Sequence, residues 1–471
     1  MKKIWAGFTV SLVVSVLSSS CEGMQGAEGA RGPAGEPGAA GARGPQGDAG
    51  VDGVAGMNGV AGMNGTNGTN GTVGLDGRTP LLQVLDTRVR GWVPSNRTAL
   101  NALIRNYGAS SSTFDPAERP VAIFDWDNTV LKNDIGDATL FWMLQHDKIL
   151  QPPGKVWSTT SPNLTTAAMA ALNAGCDSLA VAGAPLPTST SAACADAIFN
   201  IYNGTLNGVS AWTTLITASN NYAYAWVSQL SAGYRPEELR AFARSAFDEN
   251  TSNPLNAVQT IGTTTNATYA VRIYEPLRDL MIAMRNNGFD VWVLTASPQY
   301  FVEAISEEVG VRRDHVIGIR STITAGKVTT TFEGCGAVAD GNTSVITFDE
   351  GKRCWINKVI FHQPTSTQDS RLTDPKLKPV FVAGDSDTDI GMLKEATVLK
   401  MVINRNKVQT MCNALANAGN RWIVQPMFLQ PKAQKLSPYA CSTATSVGAR
   451  IVDENGNVFP ADLSEPPYIT E

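Results

Sequence analysis

Four short apolar runs recur along the chain, each bounded by polar residues or glycine: VAIF at 121–124, VWVL at 291–294, HVIGI at 315–319 and VFVA at 380–383. A fifth, VLKMVI, lies at 398–403. Unbroken runs of this length describe strands buried on both faces, as in parallel sheets. Around them the apolar spacing changes to that of helices. Residues 95–107 form one such stretch, with Ser95 as its N-cap and Gly108 past its end. Residues 275–287 form a second, closed by Gly288, and 299–309 a third, closed by Gly310. Strands alternating with helices predict an α/β fold with a parallel sheet. One interval is far too long. About 150 residues separate the first strand from the second, where a crossover needs about a dozen. An inserted domain therefore spans 136–270. It is rich in Ala, Leu, Trp and Tyr and carries helical stretches such as 236–249, so it reads as a mostly helical cap. Its middle, 150–210, is rich in Thr, Ser, Pro and Gly and reads as loops. The catalytic core is then 79–135 together with 271–471.

The N-terminal part follows other rules. Lys2 and Lys3 precede an apolar stretch from Ile4 to Leu17, then Ser18, Ser19, Ser20 and Cys21. A charged start, a short apolar stretch and small residues describe an export signal over 1–20, too short for a membrane span. The small residues before Cys21 resemble a bacterial lipoprotein signal, which implies cleavage and lipidation of Cys21; plain secretion is the alternative. Glycine then occupies every third position from Gly23 to Gly77. Only glycine fits the axis of a collagen triple helix, so 21–78 reads as a lipidated cysteine and a collagen-like stalk. Folded, the segment is a homotrimeric rod of roughly 170 Å, at about 3.1 Å per residue. Unfolded, it is a spacer.

Removing Cys21 leaves six of the seven cysteines, an even number that reads as disulfides in an exported chain. They fall as three local couples: Cys176 with Cys194, Cys335 with Cys354, and Cys412 with Cys441. Their spacing does not suggest zinc, and His146, His315 and His362 receive no role. The net charge of -5 gives no footprint for nucleic acid.

Chemistry gathers where the apolar runs end, the edge at which open α/β sheets bind ligands. Asp125 and Asp127 follow the first run, Thr295-Ala296-Ser297 the second, and Gly384-Asp385-Ser386-Asp387-Thr388-Asp389 the fourth. Residues i and i+2 of a strand point the same way, so Asp125 and Asp127 can face one ligand. Several acids converging on one edge repel one another and call for a cation. Oxygen donors alone suit Mg²⁺.

FDWDNT, LTAS, a lysine and GDSDTD, in this order and with a long insert after the first, resemble the haloacid dehalogenase superfamily. The position of the insert is similar to its phosphoserine-phosphatase and phosphorylcholine-phosphatase branch. The resemblance covers 115–405 and implies a Rossmann-like core with a cap. Asp125 would be the nucleophile, forming an aspartyl phosphate. Asp127 would protonate the leaving group, then activate water, and its main-chain carbonyl would join Asp125, Asp385 and Asp389 around Mg²⁺. Thr295, or else Ser297, would hold the phosphoryl oxygens. Lys352, or else Lys358, would pair with Asp125. A second acid speaks against dehalogenase chemistry, because a halide needs no proton.

The expected function is an exported, membrane-anchored, Mg²⁺-dependent phosphatase acting on small phosphate monoesters. A phosphotransferase on the same site is one alternative, and a catalytically silent domain in a surface adhesion or scaffold protein is another. Phosphorylcholine is one candidate substrate. Trp142, Trp157, Trp212, Trp226, Tyr222 and Tyr224 are either cap core or a cage for a quaternary ammonium. Asp134 and Asp137 read as surface acids, with a substrate cation as the other possibility.

Overall fold

The computed structural model describes residues 82–443, 451–468 and 470. The expected signal, Cys21 and the glycine repeat lie outside the described residues.

Six parallel strands form the central sheet: β1 (Val121–Phe124), β2 (Asp290–Pro298), β3 (Val316–Ile319), β4 (Phe381–Gly384), β5 (Leu399–Asn404) and β6 (Trp422–Pro426). Their order is β3-β2-β1-β4-β5-β6. β1 is buried along its whole length, as an unbroken apolar run requires when both faces are covered by packing. The order changes direction between β1 and β4, which opens a crevice at their carboxyl ends. Phe124 pairs with Val293 on one side and Ala383 on the other. The residues after Phe124 and after Ala383 therefore emerge side by side.

The edge strand β6 was not expected. Its run reads Trp-Ile-Val-Gln-Pro, yet Gln425 is fully buried and donates to Gly91 O at 2.8 Å. A buried glutamine with backbone partners looks like a loop residue in sequence. Pro426 is tolerated because it ends the edge strand.

Helix α1 (Pro94–Tyr107) starts earlier than Ser95 suggests. Its N-cap is Val93, without a side-chain cap, and Pro94 supplies the helical φ at the first position. Five helices follow in the insert: α2 (Ile135–Gln145), α3 (Thr166–Cys176), α4 (Ala192–Tyr202), α5 (Tyr222–Leu230) and α6 (Pro236–Ser252). Then α7 (Glu275–Asn286) packs Leu277, Leu280 and Met284 against the sheet core. The expected helix at 299–309 is broken. It forms α8 (Gln299–Glu303), then a single 3₁₀ turn, Ser306–Val309. Ile305, at φ -131° and ψ -4°, interrupts it. Phe301, Val302, Ile305 and Val309 are all buried, so the apolar period survives although the hydrogen-bond ladder does not. A hairpin pairs Ser321–Thr324 with Lys327–Phe332. It turns through Ala325 and Gly326, both at positive φ. Beyond it come α9 (Glu350–Trp355), α10 (Ile390–Leu393) and α11 (Val408–Ala416).

The insert leaves and returns through one ribbon, Leu131–Lys132 paired antiparallel with Arg272–Ile273. It has a core of its own, including Leu140, Leu172, Ile198, Trp226 and Leu239. Residues 150–210 are not only loops, since α3 and α4 lie there, joined by Cys176–Cys194. Cys335–Cys354 and Cys412–Cys441 are the other two bridges. The insert is also latched to the core through residues 218–220. Asn220 Nδ2 donates to Ser344 O at 2.7 Å, Ile346 N–H to Ser219 O at 3.1 Å and Glu350 N–H to Ala218 O at 3.0 Å. Arg240 meets Glu303 at 2.8 Å and Arg244 meets Glu308 at 2.6 Å, tying α6 to α8 and the turn after it. No helix among the described residues is long and apolar enough to cross a membrane.

Candidate active site

Asp125 is the first residue past β1, and its N–H donates to Ala383 O at 2.9 Å. Three residues later Asn128 adopts φ +62°, a conformation asparagine tolerates better than most residues. The reversal brings Thr129 back over the strand end. Thr129 Oγ1 lies 2.8 Å from Asp125 Oδ2 and 3.0 Å from Asp385 Oδ1. Asp385 follows β4, and its Oδ2 accepts from Arg405 Nη1 at 2.7 Å. Asp389 lies one turn further on. Its Oδ2 accepts from the N–H groups of Asp385 and Ser386 at 2.9 and 3.0 Å. A Cβ on Gly384 would stand 2.7 Å from Asp389 Cβ, so this strand end admits only glycine without displacing the acid. Gly384→Ala is expected to cost about 1–3 kcal/mol and to weaken divalent binding, measured as melting temperature with and without Mg²⁺.

Lys352 comes from α9, whose neighbouring Cys354 is bonded to Cys335. Its ammonium is fully buried and donates to Asp125 Oδ1 at 2.7 Å, Asp389 Oδ1 at 2.5 Å and Leu294 O at 3.3 Å. Lys358 is elsewhere. It donates to Gly334 O at 2.6 Å and covers the Trp355 ring at 4.5 Å.

Carboxylate oxygens of Asp125, Asp385 and Asp389 lie within 4.8 Å of one another, all on buried residues. Burial, then the charge of Asp389, pushes the Asp125 carboxyl well above the ordinary carboxylate range, while Lys352 pulls it back. Burial and Asp389 also raise Asp385. Burial disfavours the Lys352 ammonium, but Asp125 and Asp389 outweigh it and the lysine is held protonated. Three oxygen-donor acids around one lysine fit a hard divalent cation.

Asp127 stands apart from that cluster. Its Oδ1 accepts from Ile135 N–H at 2.7 Å, and its Oδ2 from Ser297 Oγ at 2.7 Å and Thr295 Oγ1 at 3.1 Å. Burial, followed by the charge of Asp134, raises its pKa well above the usual value. Only its main-chain carbonyl is left to serve a metal. Thr295 and Ser297 thus both touch Asp127. Thr295 is fully buried, whereas Ser297 also lines the cavity.

That cavity, of about 590 Å³, lies between the strand ends and the insert. Asp134 and Asp137 face it rather than bulk solvent, which corrects their reading as surface acids. The reason is local. Helix α2 begins at the strand end with Asp134 as its N-cap, accepting from Asp137 N–H at 3.0 Å. Its first turn therefore points into the crevice. Asp137 also accepts from Tyr202 Oη. Burial, then Asp134, pushes Asp137 up to about 7. Of the six insert aromatics considered for a cage, Trp157, Trp212, Trp226 and Tyr222 are buried in its core. Trp142 stacks on His146, and of the six Tyr224 reaches the cavity wall, beside Tyr202 of α4. They form no aromatic cage.

Thr129, Tyr202 and Arg405 went unnoticed in the sequence. Arg405 follows β5 by one residue, so the strand-end rule that found the acids would have found it too. Tyr202 closes α4 in the insert, and no sequence pattern links it to Asp137.

Residues 208–394 match the family model described as haloacid dehalogenase-like hydrolase. Residues 21–79 match the model of the collagen triple helix repeat. No curated protein matches the chain. Among solved structures, a conserved protein of unknown function from Anaerococcus prevotii is 20% identical, with a TM-score of 0.47, over 73% of this chain and 94% of that one. A protein of unknown function from Bordetella pertussis Tohama I is 17% identical, with a TM-score of 0.37, over 66% and 99%. A substrate-bound phosphoserine phosphatase is 12% identical, with a TM-score of 0.27, over 60% and 86%.

Proposed function

The chain is built on the haloacid dehalogenase-like hydrolase fold, with a collagen-like repeat N-terminal to it, and on that premise we propose that it is a Mg²⁺-dependent phosphatase of small phosphate monoesters. The division of labour between Asp125 and Asp127 carries the reading. Asp125 sits in the acid cluster against the Lys352 ammonium. Asp127, two residues on, has its carboxyl pushed well above the usual range by burial and lies outside the cluster.

Asp125 attacks phosphorus as the ester P–O bond breaks, and Asp127 gives its proton to the departing alkoxide. Asp127, now ionised, takes a proton from water, which attacks the phosphorus of the aspartyl phosphate. Phosphate leaves and the Asp125 carboxylate is restored. Lys352 balances the charge of Asp125 throughout, the hydroxyls of Thr295 and Ser297 orient Asp127, and Ser297, on the cavity wall, is the one that meets the phosphoryl oxygens. A divalent cation held by Asp125, Asp385, Asp389 and the Asp127 carbonyl would neutralise charge on the transferring group. Its donor set, oxygen only, favours Mg²⁺.

Asp134 and Asp137 on the cavity wall favour an alcohol portion that carries a cation, with phosphorylcholine among the candidates. Carboxylates rather than an aromatic cage would meet it. Phosphate release by the full chain is expected from an aryl phosphate with Mg²⁺ and to vanish in EDTA. No Mg²⁺-dependent release from the aryl ester or from any member of a panel headed by phosphorylcholine would sink the reading. Asp137→Asn is expected to raise KM for phosphorylcholine about tenfold more than KM for the aryl ester, roughly 1.4 kcal/mol of selective binding. Equal effects on both would remove the cation reading.

Three disulfides and a collagen-like repeat fit a site outside the cytoplasm. We further propose that Cys21 carries the lipid anchor and that the repeat trimerises into the stalk. Mass spectrometry of the mature N-terminus tests the first proposal. Sedimentation with and without residues 21–78 tests the second.

A further inference from the structure

Arg405 lies beside the acid cluster without belonging to the expected set. Its Nη1 donates to Asp385 Oδ2 at 2.7 Å, while Thr129 holds Asp385 Oδ1 at 3.0 Å. One oxygen of a prospective metal ligand is thus hydrogen-bonded to Arg405, and the other shares the single Thr129 hydroxyl proton with Asp125. A guanidinium has five N–H donors. Arg405 spends one on Asp385, its side chain is 27% exposed, and it forms part of the cavity wall.

The local charge makes this placement consequential. With all three acids ionised, as cation binding requires, Asp125, Asp385 and Asp389 bring three negative charges, and Lys352 and Arg405 bring two positive ones. The bare cluster is therefore singly negative. A divalent cation turns it singly positive, ready for an anion. Without Arg405 the bare cluster would be doubly negative and the loaded one neutral.

We infer that Arg405 is a positioning residue that trades cation affinity for anion affinity: it weakens metal binding at Asp125, Asp385 and Asp389 and strengthens binding of the phosphoryl group once the metal is present. The inference rests on the phosphatase reading. A unit charge a few ångströms away in a partly buried site is worth about one to two powers of ten in a binding constant.

The test uses the full chain as wild type, Arg405→Gln and Arg405→Lys. Calorimetry measures Mg²⁺ alone, then inorganic phosphate at saturating Mg²⁺. Arg405→Gln is expected to bind Mg²⁺ about tenfold tighter and phosphate about tenfold weaker. Arg405→Lys keeps the charge and is expected to stay within about threefold of wild type in both. A residue that merely supported the fold would weaken both ligands together. A parallel loss in Arg405→Gln, or no change in either ligand, overturns the inference. Should Arg405→Gln not fold, a loss of both affinities in folded Arg405→Lys overturns it equally. A wild type that binds no Mg²⁺ would remove the phosphatase reading itself, whereas a wild type that binds both ligands leaves Arg405 to be judged by its variants.

Discussion

Asp125→Asn is expected to lower phosphate release by at least about 10⁴-fold, as loss of a covalent nucleophile does. An amide has neither the charge nor the free electron pair to attack phosphorus, yet it matches the carboxylate in shape. The fold should survive the change. Burial and Asp389 push the Asp125 carboxyl up, so in EDTA the ionised acid is a burden on the native state. A raised native pKa means stability that is present below the unfolded value, near 3.9, and lost as pH rises toward the native value. Asp125→Asn removes this loss. Its melting temperature in EDTA should therefore gain on that of the wild type as pH rises from about 4. Acid-quenched wild type should also carry a phosphate adduct on the peptide containing Asp125, and the variant should not. Residual turnover within tenfold of wild type would assign the attack to another residue.

Lys352→Met should do more damage to the fold. The lysine is fully buried and bonded to two acids. Removing one partner of a buried ion pair costs about 3–5 kcal/mol, because the remaining charges have no compensation. Here Asp125 and Asp389 would face each other with no cation between them. Urea unfolding in EDTA measures the loss. Mg²⁺ should return part of it, so the variant gains more from the metal than the wild type does. Lys358→Met is the comparison, since that ammonium covers a ring, meets one carbonyl and pairs loosely with the partly exposed Glu333 at 3.8 Å. It should cost no more than about 1 kcal/mol. A larger loss for Lys358→Met than for Lys352→Met would reverse the assignment of the two lysines.

Sequence reading succeeded where one local cause dictates the pattern. VAIF and VFVA are buried on both faces, and nothing polar could stand there. The acids that follow them lie at strand ends, which one rule of α/β sheets makes informative. It failed where composition was averaged over too long a window. Residues 150–210 are rich in Thr, Ser, Pro and Gly overall, but TAAMAALNAGC and AACADAIFNIY within them are helices. It failed again where a polar side chain is satisfied inside the fold, as Gln425 is in β6. The cavity face of Asp137 and its contact with Tyr202 depend on how α2 and α4 pack, and no local pattern records that.

The three disulfides join each of the six described cysteines to its next neighbour along the chain, at separations of 18, 19 and 29 residues. Of the fifteen pairings open to six cysteines, this is the one in which no loop crosses or encloses another. Among these six, a chain threading outward from its N-terminus never holds a thiol whose native partner lies beyond the next of them to emerge. No bridge joins the insert to the core, so the insert can be closed covalently before the second half of the sheet exists. Oxidation in order of emergence would yield these three bridges without reshuffling.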